Sequence, residues 1–384
     1  MKLISTGIVV IECLCIAGIS YGQDMNNLKL KDYRPVSIYK IPVTNVAKAK
    51  YPVIDMHSHP GYVHDEKGIE WWVRNMDSCG IEKVILLTGA TGAKFDSLAK
   101  AFSKYSNRFE LWCGFDDFGY DSPGYGPAAV KELERCFRAG AKGVGELMFK
   151  GKGVPHSAVN ESIMLPDDPR EDMLFEKCAD LGLPVNIHVS EDKWMYEKDD
   201  STNDGLMNSS TWQVKMENGA KTHEEMLTRF ENTLKKHPRT IFVAAHLANT
   251  CADLSVLGSF LDKYPNLYAD ISARYAEIAP IPKFVHDFIE KYQDRLVYGT
   301  DNMPDQTTYR LTFRILETAD EHFYAHYLFS YHWPLYGLFL TDNTLKKMYR
   351  DNALKIMKVR DRNKIGAARV ILWSRASPSQ LIDY

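Results

Sequence analysis

The chain has 384 residues, 45% of them hydrophobic and 25% charged, with a formal net charge of -3. That length and apolar content suffice for one large single-cored domain. The near-neutral balance removes any electrostatic ground for nucleic acid or an anionic membrane surface as partner.

The N-terminus reads as a secretory leader over residues 1–22. Lys2 supplies the positive charge, residues 8–19 are mostly apolar although Glu12 interrupts them, and Ser20-Tyr21-Gly22 places small residues ahead of Gln23. The apolar run is too short for a comfortable membrane span. Cys13 and Cys15 lack the small residue that a lipoprotein cleavage site requires just before its cysteine. Cys79, Cys113, Cys136, Cys178 and Cys251 are scattered, odd in number and without CxxC spacing, so they make neither a disulfide framework nor a thiolate metal site. A secreted or periplasmic location therefore rests on the leader alone.

Residues 23–50 are polar, carry Pro35 and Pro42, and read as an extended arm. From 51 to 358 the pattern alternates. Strands are predicted near 52–56, 82–87, 109–114, 141–146, 184–189, 240–245, 267–271 and 295–299. Amphipathic helices are predicted near 66–78, 93–105, 127–138, 171–181, 222–236, 252–263 and 281–292. Thr222 and Glu225 form a capping box at the start of one helix, and Ala139-Gly140, Leu181-Gly182-Leu183-Pro184 and His237-Pro238 supply helix stops. Eight strands alternating with helices in one pass argue for a closed (β/α)8 TIM barrel over an open sheet. No glycine-rich phosphate loop follows the first strand, which also counts against a dinucleotide fold. Two long connections, 147–170 and 190–221, are expected to wall or cover the site. An aromatic stretch at 323–340, a helix from Leu345 to Met357 and a tail at 359–384 without an assigned role complete the chain.

Metal-type ligands sit where the strands end. Asp55-Met56-His57-Ser58-His59 follows the apolar run Tyr51-Pro52-Val53-Ile54, and residues i and i+2 of a strand share a face, so His57 and His59 can reach one ion. Pro184 to Ile187 ends in His188, Ile241 to Ala245 ends in His246, and Leu296 to Thr300 ends in Asp301. Any one ending has an ordinary explanation. Four together imply parallel strands converging on one site at their carboxyl ends. Glu146 likewise ends strand four in Gly143-Val144-Gly145-Glu146. Imidazoles and carboxylates without thiolate suit zinc, with manganese or iron as alternatives. Such an ion would activate water and polarise a carbonyl, and Asp301 could both contact it and accept a proton from water. Arg274, just past strand seven, is the candidate for holding a substrate carboxylate. Lys150 and Lys152 could serve likewise, although loop lysines are usually solvated. Trp71 and Trp72 read as core.

The ligand order over the strands resembles the amidohydrolase superfamily. The wording of Val53 to His59, of Tyr264-Pro265-Asn266-Leu267-Tyr268-Ala269-Asp270-Ile271-Ser272 and of Tyr298-Gly299-Thr300-Asp301 is similar to its amidohydrolase-related branch, which includes aminocarboxymuconate semialdehyde decarboxylase, and most to secreted bacterial members. The resemblance covers roughly 30–358. It implies that His57, His59, His188 and Asp301 bind one ion while His246 works on substrate. In binuclear superfamily members strand four supplies a bridging ligand, which would assign Glu146, His188 and His246 to a second ion; one ion is the favoured reading. The activity implied is metal-dependent hydrolysis of a small polar lactone, ester or amide. The alternative is decarboxylation of an unsaturated or aromatic acid, because the branch hosts both and fold does not choose. Export favours hydrolysis of an environmental compound. A homo-oligomer is compatible with the sequence, which gives no state.

Overall fold

The structure is a computed structural model and describes residues 26–154, 164–206, 212–216, 219–302, 305–327 and 332–358. The expected leader and the tail lie outside the described residues, as do parts of both long connections. The chain up to Arg34 separates as its own unit, with a 3-10 turn at Leu30–Asp32. The unit from Pro35 onward contains the barrel.

Among the described residues its eight strands are β1 (Val53–Ser58), β2 (Ile81–Leu87), β3 (Phe109–Trp112), β4 (Val144–Phe149), β5 (Val185–Val189), β6 (Phe242–Ala244), β7 (Leu267–Asp270) and β8 (Leu296–Val297). They pair in parallel and in chain order, β1 to β3 in one run and β4 to β8 in the other. Two seams join the runs. Cys113, just past β3, bridges to Val144 and donates its N–H to Gly143 O at 3.0 Å. Ser58 bridges to Asn302, and Met56 N donates to Tyr298 O at 2.9 Å. The strands thus close into a TIM barrel, as the alternation predicts.

Period-two alternation sorts the strand residues. Ile54, Met56, Ile85, Leu87, Trp112, Val243 and Val297 pack together with Ala353, Ile356 and Met357 of the last helix. Val53, Val84, Leu86, Phe109 and Leu111 pack instead with the helix layer, against Trp72, Phe95 and Phe102. Ile356 borders a small recess with Pro184 and Ile241, at the amino ends of β5 and β6, so the last helix closes the floor and leaves the carboxyl ends for chemistry. Trp72 is buried as expected, whereas Trp71 is exposed.

The predicted capping box is present. Thr222 Oγ1 accepts from Glu225 N at 3.1 Å and Glu225 Oε2 accepts from Thr222 N at 2.8 Å, which starts helix His223–Lys236. The arm is anchored at Thr44, whose N–H and hydroxyl donate to Asp320 at 2.8 and 2.6 Å. Among the described residues the five cysteines are free and buried, and no helix is long and apolar enough to cross a membrane.

Glu171 is buried beneath helix Tyr125–Arg138. One carboxyl oxygen accepts from the Tyr125 hydroxyl at 3.0 Å and the other has no hydrogen-bond partner. Burial pushes its pKa up from 4.5 to about 7. The folded protein therefore binds more protons than the unfolded chain between those values, and stability falls as pH rises through that window. Glu171→Gln is expected to stabilise by about 3 kcal/mol at pH 8 and by under about 1 kcal/mol at pH 5, read by urea unfolding. An equal difference at both pH values would contradict the assignment.

Candidate metal centre

The site begins with how β8 meets β1. A Cβ on Gly299 would lie 2.8 Å from His57 Cβ, so only glycine lets the strands approach this closely. Thr300 and Asp301 then donate their N–H groups to His57 O at 3.1 and 2.8 Å. Asp55, buried between the strands, accepts from Thr300 N at 3.1 Å, Thr300 Oγ1 at 2.7 Å and Tyr309 Oη at 3.2 Å. These bonds fix Asp301, itself at φ +58°, beside β1.

His246 is placed differently from its expected strand end. β6 stops at Ala244, and His246, Leu247, Ala248 and Asn249 follow with φ between +54° and +58°. This left-handed turn is costly for non-glycine residues. It is held by His246 N donating to Asp270 Oδ1 at 3.0 Å and by Asn249 Nδ2 donating to Val189 O and Ser190 O, both at 3.1 Å.

Four side chains then meet. His59 Nε2 lies 3.0 Å from Asp301 Oδ1 and 3.5 Å from Glu146 Oε2. His57 Nε2 lies 3.5 Å from Asp301 Oδ1 and 3.7 Å from Glu146 Oε2. The ring orientations suit coordination. His59 Nδ1 donates to Leu87 O at 2.9 Å and His57 Nδ1 lies 3.0 Å from Asp270 Oδ2, so the Nδ1 side of each ring is held by protein and Nε2 is the atom turned to the group, which would ligate an ion once deprotonated. His57 Nε2 is buried without a hydrogen-bond partner. A tetrahedral ion with ligands at about 2.0–2.2 Å has ligand–ligand edges of roughly 3.3–3.6 Å. The donor set fits a divalent cation.

The other Glu146 oxygen serves a second group. Oε1 accepts from His188 Nδ1 at 2.6 Å and lies 3.2 Å from His246 Nε2, while the two histidines approach to 3.2 Å. His246 Nδ1 donates to Ser272 O at 2.8 Å. Burial would raise the Glu146 carboxyl, but His188 and His57 outweigh it and hold it well below the usual range. Asp301, partly exposed, is likewise held down by His57 and His59. Burial would lower His59, yet Asp301 and Glu146 raise it to about 10. His246 is lowered, first by burial and then by His188.

The structure therefore brings the expected His57, His59 and Asp301 together with Glu146, and places His188 with Glu146 and His246 instead. Arg274 requires correction as a free carboxylate binder. Its Nε lies 2.7 Å from Asp192 Oδ2, its Nη1 donates to Ala273 O at 3.1 Å, and its Nη2 donates to Asn249 Oδ1 at 2.6 Å and to Glu191 at 3.2 Å. Every guanidinium nitrogen is engaged, because a buried charge must be paired. A cavity of about 340 Å³ opens over the centre, lined by His59, Glu146, His188, His246 and Asp301, with Lys150 and Trp212 on its wall. Sequence reasoning missed Asp270, which orders His57 and His246, because its segment carried resemblance but no ligand spacing.

A family model described as amidohydrolase matches residues 90–358. The chain belongs to the amidohydrolase family. It is thereby a metal-dependent enzyme of that superfamily with a candidate site of histidines and carboxylates. The match begins after β2, so His57 and His59 rest on geometry. Among solved structures this amidohydrolase is similar to the uncharacterised TIM-barrel protein Bb4693 from Bordetella bronchiseptica, at 13% identity over 81% of this chain and 99% of that one, with a TM-score of 0.52. It is also similar to a putative amidohydrolase from Staphylococcus aureus, at 14% identity over 80% and 99% with a TM-score of 0.51. A third is 2,6-dihydroxybenzoate decarboxylase from Rhizobium, at 15% identity over 80% and 99% with a TM-score of 0.50. At these identities the likeness shows the shared barrel alone. No curated protein matches.

Gly299→Ala tests the β1–β8 contact. The added methyl should displace His57 and weaken divalent-metal affinity at least about tenfold in chelator competition, with unchanged far-ultraviolet circular dichroism. Undiminished affinity would show that the close approach does not position the site.

Proposed function

We propose that this amidohydrolase hydrolyses a small polar lactone, ester or amide, using one divalent ion, zinc by donor type, held by His57, His59, Glu146 and Asp301. Glu146 replaces His188 in the expected set because its Oε2 faces both β1 histidines while His188 is engaged with Oε1. When bound, the ion would supply Lewis-acid polarisation of the scissile carbonyl and activation of water.

One observation carries the reading. Asp301 turns Oδ1 to His59 at 3.0 Å, keeps Oδ2 3.9 Å from His246 Nε2, and is partly exposed to the cavity. A carboxylate held ionised there can take the proton from attacking water. His246 is oriented by the Ser272 carbonyl and favours the neutral imidazole, which suits proton transfer at Nε2. Trp212 and Met148 line the cavity wall.

Decarboxylation of an organic acid is the second reading. It is supported by the likeness to 2,6-dihydroxybenzoate decarboxylase and by a buried lysine on the cavity wall. A panel of lactones, esters, amides and aryl carboxylates, assayed with carbon dioxide detection, separates the two. Turnover of an ester, amide or lactone without carbon dioxide is expected; carbon dioxide release from an aryl carboxylate, with no hydrolysis, would overturn hydrolysis.

The metal reading has its own test. His57→Ala and Asp301→Asn should each lower kcat/KM by about 10³-fold, roughly 4 kcal/mol of transition-state stabilisation, together with metal content. His246→Ala should lose activity yet retain about one equivalent, whereas Glu146→Gln should lose it. Two equivalents in the wild type and one in both variants would establish a binuclear centre instead.

A further inference from the structure

We propose that Lys150 is a specificity residue that pairs with a non-reacting carboxylate of the substrate, so that the site selects organic acids. The inference rests on the reading above that substrate occupies the cavity over the centre. Among the described residues lining that cavity, Lys150 is the lone lysine or arginine. It follows directly on Phe149, the last residue of β4, and only 4% of it is exposed. The expectation that loop lysines are solvated does not hold here. Its backbone is fixed by the barrel, and its charge is close to the chemistry.

The pairing of Lys150 leaves capacity for a ligand. Its Nζ meets Glu191 Oε1 at 2.7 Å and sits 5.8 Å from the centre of the Trp212 ring. An ammonium has three donors, and Glu191 Oε1 faces it as an ion-pair partner without accepting a hydrogen bond. Glu191 is itself divided, since Arg274 Nη2 reaches its Oε2 at 3.2 Å and His188 Nε2 lies 3.5 Å from its Oε1. Lys150 therefore shares its counter-ion, while Arg274 spends every nitrogen on protein groups. A substrate carboxylate is the partner that completes the lysine. The rest of such a molecule has a place. A second cavity of about 360 Å³ shares Gly89, Glu146 and Met148 with the first and is lined by Phe115, Tyr120 and Phe149, with Asp117 and Asp121 also on its wall. An acid with its carboxylate at Lys150 and an apolar body against these rings would span both.

The test uses benzoate and its neutral isostere benzamide as probes, titrated by calorimetry into purified protein before and after chelator treatment. Wild type is expected to bind benzoate at least about tenfold tighter than benzamide in both states. Lys150→Met should abolish that preference while changing benzamide affinity by less than about threefold. Lys150→Gln keeps a donor for Glu191 and removes only the charge, so it covers the case in which the methionine variant fails to fold, and it should abolish the preference too. Lys150→Arg should retain part of it. Absence of a preference in wild type, or its survival in Lys150→Gln, would overturn the proposal. A preference that appears only with metal present assigns it to the ion and also overturns the role of Lys150. Absence of bound metal in wild type refutes the metal reading while leaving the lysine comparison readable in chelated protein.

Discussion

Glu146 is a carboxylate only 9% exposed, and one buried charge of this kind is tolerated only with good partners on every side. Its two oxygens are divided, Oε2 toward the β1 histidines and Oε1 toward His188 and His246. Those four imidazoles come from three separated stretches of chain. Only a closed parallel barrel, with β4 facing β1 across the mouth and β5 and β6 beside it, delivers them within a few ångströms of one side chain. The arrangement of the centre is the condition under which this carboxylate can stay ionised inside the protein.

β7 ends in Asp270, which orders His57 and His246. Asp270 accepts the His57 ring proton and the His246 backbone N–H, and it also accepts from the Ser272 hydroxyl. Ser272 Oγ in turn lies 2.9 Å from His57 Nδ1 and 3.0 Å from His246 Nδ1. Both rings are thereby fixed in orientation, and both turn Nε2 toward Glu146. Outer partners of this type set ligand basicity as well as direction. The left-handed turn at His246 belongs to the same device: its conformational cost is offset by bonds to Asp270 and from Asn249, and it turns the ring out of the strand line into the centre.

The strand pattern was legible because period-two alternation and helix stops act locally. The eight described strands overlap predicted segments, β4 lying three residues later than the predicted 141–146, and the Thr222–Glu225 box is where its spacing put it. The barrel and the convergence of His57, His59, His188, His246 and Asp301 followed from strand ends, whereas Glu146, expected at the end of strand four, lies inside β4. Three features were not legible. Which oxygen of Glu146 meets which ring depends on β4–β5 packing, so the division of ligands into two groups could not be read from order along the chain. The turn at His246 breaks strand geometry without a glycine to announce it. The engagement of Arg274 by protein groups is the third, because its pairing with Glu191, Asp192 and Asn249 joins segments more than 20 residues apart in sequence, which carry no mutual spacing signal.

The most direct measurement is anomalous diffraction at the zinc edge from crystals grown with that ion. One peak is expected within about 2.0–2.2 Å of His57 Nε2, His59 Nε2, a Glu146 oxygen and an Asp301 oxygen. A sole peak held by Glu146, His188 and His246, or no ordered peak at the barrel mouth, would contradict it.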